Sequence, residues 1–500
     1  MRRDATCCVY LLVCLLLSAC QETINTPKQL DRQPAIYPDY AGVTIPVTIA
    51  PLNFGLTEAE SKRVERIDVR IEGRQGTALH VQGESAQFPP KAWQALLAAN
   101  VGDSLRCYVS AKRQGVWESY QPFTLHISPD PIDYGLVYRK IAPGYEVYSR
   151  MGIYERPLSE QTERPLVENT LVKGMCVNCH AFNQTDPTRL SLHFRGTHGA
   201  TLLRSSEGEE YLNTKTAETL AACVYPYWHP SGDYIAYSTN QTRQAFHTVK
   251  EERVEVVDLA SDVLVYHPAT HRLLFCDALT DSAHFETFPA FSPNGRKLYF
   301  CRAAAKPIPE AYQEIRYNLC SIDFDPEQGT FGTRIDTLIH AEAMGKSVSF
   351  PRPSYDGKYL MVTLSDYGNF SIWHREADLW LLELATGTLR PLDTLNSPET
   401  ESFHNWSSNS RWIVFSSRRG DGLYTRLYLA HCDEKGQVGK PFLLPQSNPQ
   451  ALYDRSEYSY NVPDFVRRPV EISPKELGTR LTAPERREMK AVRIDYSASK

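Results

Sequence analysis

From about Tyr37 to Ile127, apolar and polar residues alternate in short runs: VTIPVTIAPLNF, RIDVRIEG, TALHVQG, SLRCYVSA and YQPFTLHI, each bounded by Gly, Pro or Asn. Alternation with period two puts apolar side chains on one face of a strand, so these runs predict a small antiparallel β domain over 37–128. One stretch breaks the pattern. FPPKAWQALLAAN opens with prolines and carries apolar residues at helical spacing, which predicts a short helix.

Further along, four segments share one pattern: YPYWHPSGDYIAYSTN from Tyr225, FPAFSPNGRKLYFCRA from Phe288, FPRPSYDGKYLMVTLS from Phe350 and FHNWSSNSRWIVFSSR from Phe403. Each reads as aromatic lead, strand, tight turn and second strand, with Gly232, Gly295, Gly357 and Ser410 at the turn. Strand-pair patterns lie between the copies, among them RVEVVDL with HRLLFC and DLWLLELATGTLRPL, so each period supplies four strands. Repeated four-stranded units predict a β-propeller of five or six blades over 195–465. HGATLLRSSEGEEYLNT reads as the outer half of a further blade, completed by strands from elsewhere. The fold class is therefore mainly β: an N-terminal immunoglobulin-like β-sandwich followed by a propeller. The aromatic, proline-rich stretch 129–194 reads as a connector, and 466–500 as a mobile or helical tail.

The aromatic-Ser-Pro-Asp-Gly-Lys pattern resembles the repeats of TolB-like propellers. With SDYGNFSIWH, SSRRGDGLYTR and YNVPDF between the repeats, and with the leader and CxxCH motif described next, the chain is similar to a group of TolB-like lipoproteins of Bacteroidetes. That resemblance implies a fold and an envelope address. It implies no tested activity, and TolB itself has neither lipid anchor nor CxxCH.

The chain begins with a basic Arg2-Arg3 pair and an apolar run from Cys7 to Leu17, too short to span a bilayer. Leu17-Ser18-Ala19-Cys20 follows and resembles a lipobox, which implies a signal peptide over 1–19, acylation of Cys20 and a lipidated tether over 20–36. The expected address is the bacterial cell envelope, lipid-anchored, at the outer membrane and facing the periplasm. The formal charge of −5 gives no electrostatic reason to expect nucleic acid.

Twelve cysteines are present, three in the leader besides Cys20. Cys107, Cys223, Cys276, Cys301, Cys320 and Cys432 stand singly in strand-like runs, as small buried thiols do. Cys176, Cys179 and His180 are different, because they form CxxCH in KGMCVNCHAF. Two thiols at that spacing meet the two vinyl groups of a haem while the adjacent imidazole ligates iron, so the motif predicts covalent c-type haem. His193 is the first choice for the opposite axial ligand and His198 the second, with Arg195 and Arg204 as partners for the propionates. Zinc is the alternative, with His193 and His198 completing a set that no second CxxC supplies. A structural disulfide is a further alternative.

Strand ends of the propeller concentrate polar and aromatic residues, and His229, Arg243, His247, Asp366, His374, His404 and Arg418 are candidates for a pocket on its face. Trp228, Phe291 and Trp406 read instead as fillers between blades. No G-x-S-x-G elbow occurs and no α/β domain follows the last repeat, so no hydrolase signature supports an enzyme; a redox protein stays open. Two functions follow. One is a haem-bearing envelope protein in binding, assembly or electron transfer with an envelope partner. The other is a non-haem scaffold that binds a protein or glycan through the propeller face, with CxxCH as a metal or disulfide site.

Overall fold

The computed structural model describes residues 22–142, 150–247 and 253–494. The leader and Cys20 lie outside the described residues. The chain divides into two compact units, the first taking the residues up to Gly42, Pro51–Ile127 and Pro445–Asp454, the second Val43–Ala50, Ser128–Leu444 and Arg455 onward.

In the first unit, Val64–Glu72, Ala78–Gly83, Ser104–Arg113 and Val116–Ser119 pair as antiparallel neighbours. Lys28–Gln29 adds a parallel edge strand beside Val116–Ser119, so part of the expected 20–36 tether belongs to this sheet. The expected helix forms at Pro90–Ala99 and buries Trp93, Leu96 and Leu97, with Trp93 stacked on Phe88 at 5.4 Å. Its proline start and apolar spacing explain both its position and its buried face.

The second unit is a six-bladed β-propeller. Each repeat folds as expected from its turn. In SPNG, SYDG and SSNS the serine Oγ accepts the backbone N–H of Lys297, Tyr359 or Trp412 and donates to Asn294, Asp356 or Asn409. The turn residue then takes a left-handed φ: 71° at Gly295 and Gly357, 60° at Ser410. A hairpin loop with one left-handed position suits glycine, and Ser410 shows that the network also tolerates a side chain there.

Two corrections concern the blade boundaries. The propeller begins at Gly135, not at 195, because the expected connector supplies strands Gly135–Ile141, Gly152–Pro157 and Arg164–Glu168 of blade I, then Met175–Asn183 and Asp186–Gly196 of blade II. Blade II is thus completed by the residues directly before HGATLLRSSEGEEYLNT. Blade I receives its innermost strand from the far end of the chain, where Ser459–Val466 pairs antiparallel with Gly135–Ile141. Blades III to VI begin at Cys223, His284, Ser347 and Glu401. The tail is ordered into a helix, Pro474–Thr482, capped by Ser473, and two short strands that pair in parallel with the outer edges of blades II and III. Covering those edges removes unpaired backbone from water.

Apolar side chains gather between neighbouring blades. Trp228 reaches from blade III to donate to Ala181 O of blade II, and Trp406 from blade VI to Arg352 O of blade V at 3.0 Å. Trp228, Phe291 and Trp406 therefore fill the layers between blades, as expected.

Because Trp406 is fully buried and joins two blades, Trp406→Ala should cost about 3–5 kcal/mol of stability. Trp406→Phe should cost less, mainly through the unsatisfied Arg352 carbonyl. Chemical unfolding of both variants checks this, and a loss below about 1 kcal/mol for the alanine variant would refute the packing role.

Candidate functional site

The inner strands of all six blades carry one irregularity. Pairing with the second strand slips by one residue between Val177 and His180, Val224 and Tyr227, Thr287 and Ala290, Ser349 and Arg352, and Ser402 and Asn405, and a matching slip spans Asn461 to Asp464 in blade I. The first bulged residue is Tyr225, Phe288, Phe350, Phe403 or Val462 in five blades, each with φ between 49° and 52°. Such φ values are rare for large side chains and hold each strand out of the ladder. Four of these rings meet across the channel, Tyr225–Phe288 at 4.6 Å, Phe288–Phe350 at 4.2 Å and Phe350–Phe403 at 4.8 Å. Proline follows the bulged residue at 226, 289, 351 and 463.

Blade II departs from this pattern, and the departure is the CxxCH motif. Asn178 and Cys179 stand where other blades have aromatic-Pro, and His180 follows at the position of Tyr227, Arg352 and Asp464. The motif is thus on an innermost strand rather than in a proline-bounded loop, and Cys176, Cys179 and His180 all line a cavity of about 680 Å³ in the channel. That volume lies within the range of small-molecule and cofactor pockets.

Within this cavity His180 is enclosed by protein. Neither ring nitrogen has a hydrogen bond of good geometry; its polar neighbours are the Val137 backbone and Asp464 Oδ2, 3.6 Å from Nε2. Burial drives its pKa down to about 3, so the imidazole is neutral and its lone pair free to ligate. Cys176 has its Sγ 3.5 Å from Met151 Sδ, and burial raises its thiol pKa. Both motif cysteines are free thiols. A buried neutral imidazole and two thiols on one cavity wall are the donor types that a c-type haem uses. Among the described residues no group of three or more His, Cys, Asp or Glu side chains is placed to hold a metal ion.

Of the other candidates, His404 and Arg418 line the cavity. His404 Nε2 donates to Met361 O at 3.0 Å, and Arg418 lies over the Trp373 ring at 4.2 Å. Arg195 is in the lining, whereas Arg204 is paired with Glu209 on the outer strands. His193 does not line the cavity. It is buried one strand away with Nδ1 on Thr201. His198 occupies the turn after Gly196. His229 is fixed in its hairpin turn at the other end of the inner strand, by Ser231 and Gly295 O. Asp366 pairs with Lys346 on the surface.

Arg243 and His247 belong to a long hairpin of blade III, Ile235–Phe246 with Val254–His267, where Thr242, Gln244, Phe246 and Val256 face the cavity while Arg243 is exposed. The hairpin is tied to blade V. Tyr367 Oη donates to Glu255 at 2.8 Å, Asn369 Nδ2 to Asp258 at 2.6 Å, and His374 Nε2 lies 3.4 Å from Glu255.

Reading residue by residue along the chain missed Arg139, Arg352 and Asp464, which share the cavity with the motif. The signal that finds two of them is the proline after the bulged residue, at 226, 289, 351 and 463: aligned on it, Arg352 and Asp464 fall at the position of His180, and all three line the cavity.

No family model matches the sequence, and no curated protein matches it. Among solved structures the chain is similar to a puromycin-hydrolyzing peptidase of Mycobacterium tuberculosis (12% identity, TM-score 0.34, 69% of this chain and 52% of that one). It is also similar to prolyl oligopeptidase B of Galerina marginata (10%, 0.34, 67% and 42%) and to dipeptidyl peptidase 4 of Porphyromonas gingivalis (9%, 0.29, 62% and 50%). The chain spans about half the length of these proteins or less, and likeness at this level carries nothing about activity.

The hairpin tie has a pH signature. Burial opposes a charge on His374, but Glu255 and Glu376, at 3.4 and 3.5 Å, outweigh it and raise the pKa from 6.5 to about 9. A raised imidazole pKa contributes stability that is complete below pH 6.5 and lost as pH rises through 9. His374→Gln should therefore lower the thermal midpoint at about pH 6 and leave it near the parent value above about pH 9.5. A decrement that does not change with pH would refute the charged tie.

Proposed function

We propose that this chain is a lipid-anchored cell-envelope protein of TolB-like type whose propeller carries one c-type haem in its channel. Cys176 and Cys179 hold the haem by thioethers and His180 ligates the iron. Cys20 anchors the protein, at the outer membrane and facing the periplasm, and the protein serves binding, assembly or electron transfer with an envelope partner. The six-bladed propeller is the scaffold for this.

One observation carries the reading: in a ring where five inner strands bulge on an aromatic or valine residue, the sixth bulges on CxxCH, with a buried neutral imidazole lining the cavity. Structural filling would favour another aromatic there. Two thiols and a free imidazole instead supply the attachment chemistry that c-type haem needs. The haem, when bound, supplies a one-electron centre. Tyr225, Phe350 and Phe403 and the blade III hairpin line the same cavity and would limit the access of water to such a group.

A pyridine haemochrome spectrum and a haem-stained denaturing gel of protein from the native host test this, beside a Cys176→Ala/Cys179→Ala variant. Stain that survives denaturation in the parent and is absent from the variant is expected. An unstained parent would refute the haem and leave the non-haem scaffold, binding a protein or glycan through the propeller.

A further inference from the structure

Elsewhere in the propeller, several half-buried arginines are matched to carboxylates, Arg302 to Glu286 at 2.9 Å, Arg419 to Glu401 at 3.0 Å and Arg411 to Asp356 at 3.2 Å, while Arg156 and Arg390 donate to backbone carbonyls. The channel cavity gathers guanidinium groups with fewer carboxylates around them. Arg139 of blade I donates to Asn178 Oδ1 and its buried Nε has no partner, Arg352 of blade V donates only to Pro351 O, and Arg195 of blade II has no ion pair among the described residues. Arg418 adds a further guanidinium, laid on Trp373. Facing them is a single carboxylate, Asp464, which accepts from Asn405. A guanidinium keeps its proton at any accessible pH, so these charges cannot be relieved by titration. Positive charge gathered on the wall of a largely apolar cavity favours an anionic ligand that brings a counter-charge.

The rest of the lining is apolar. Tyr225, Ile372, Phe350, Phe403 and Val462 give it a flat aromatic and aliphatic wall. Inorganic phosphate would satisfy the arginines and waste that wall.

We propose that the channel cavity is a site for a ligand with two carboxylate groups on an apolar body, its carboxylates held by Arg139, Arg195 and Arg352. Guanidinium forks match carboxylates in a plane, which suits this pairing better than a point charge would. Haem propionates and a free dicarboxylate share this chemistry. The inference rests on the haem reading only for which of the two is bound.

The test uses the full chain carrying Cys176→Ala and Cys179→Ala, so that binding is reversible. Iron protoporphyrin IX is titrated against its dimethyl ester, which keeps the macrocycle and any contact with His180 but lacks both negative charges. The free acid should bind at least about tenfold more tightly, and Arg139→Gln or Arg195→Gln should each remove most of that preference. Arg195 is exposed, so Arg195→Gln keeps the test decisive if Arg139→Gln fails to fold, and Arg139→Lys should restore part of the preference. Competition by succinate would assign the site to a free dicarboxylate, and lack of competition to the porphyrin. Equal binding of acid and ester with the arginines intact, or no binding of either porphyrin or succinate, overturns the proposal. A haem stain that fails while the preference persists refutes the covalent haem and keeps the site. A positive stain without the preference does the reverse.

Discussion

The pairing of Ser459–Val466 with Gly135–Ile141 is the constraint on which the channel depends. It closes the ring by lending the first blade a strand from more than 300 residues downstream, and it sets Asn461, Val462 and Asp464 into the channel with Cys176 and His180. Without that strand, blade I would lack its inner edge and the cavity its wall between blades VI and II. Closure also spares blade I an exposed inner ladder, the usual weakness of an open sheet.

Given closure, the bulges decide what the channel contains. Each one turns a large residue out of the ladder and toward the axis at a backbone cost of about 1–3 kcal/mol. Five blades recover that cost by packing the turned residues, four of them aromatic, against one another. Blade II does not take part in this packing. Its Asn178 accepts from Arg139 and its cysteines and histidine face open volume, so the position that breaks the repeat is also the position with chemistry.

Charge is distributed by the same logic. Outside the channel, many guanidinium groups are matched to carboxylates, and the buried His374 lies between Glu255 and Glu376 at the hairpin tie. Inside it, positive charge is in excess and the one carboxylate has its pKa raised by burial, to about 7, despite Arg352 nearby. The tie itself crosses from blade III to blade V, so the hairpin beside the cavity is held by polar contacts rather than by a packed apolar core.

The sequence by itself determined whatever is written in local period: strands from alternation, the helix at Pro90–Ala99 from its proline start and apolar spacing, and hairpins from Ser-Asn/Asp-Gly turns, because each depends on neighbours within a few residues. It also showed CxxCH as chemistry, since three residue types at fixed spacing need no fold to be recognised. Where that motif sits was decided only by tertiary structure. Met175–Asn183 lacks the repeat's turn, having left-handed Gln184 and Thr185 instead, so its place as a sixth inner strand emerges only from its pairing. The meeting of Arg139, Arg352 and Asp464 with it was likewise invisible. Those residues lie far apart along the chain, and only ring closure, a long-range pairing with no local signature, brings their strands to a common axis.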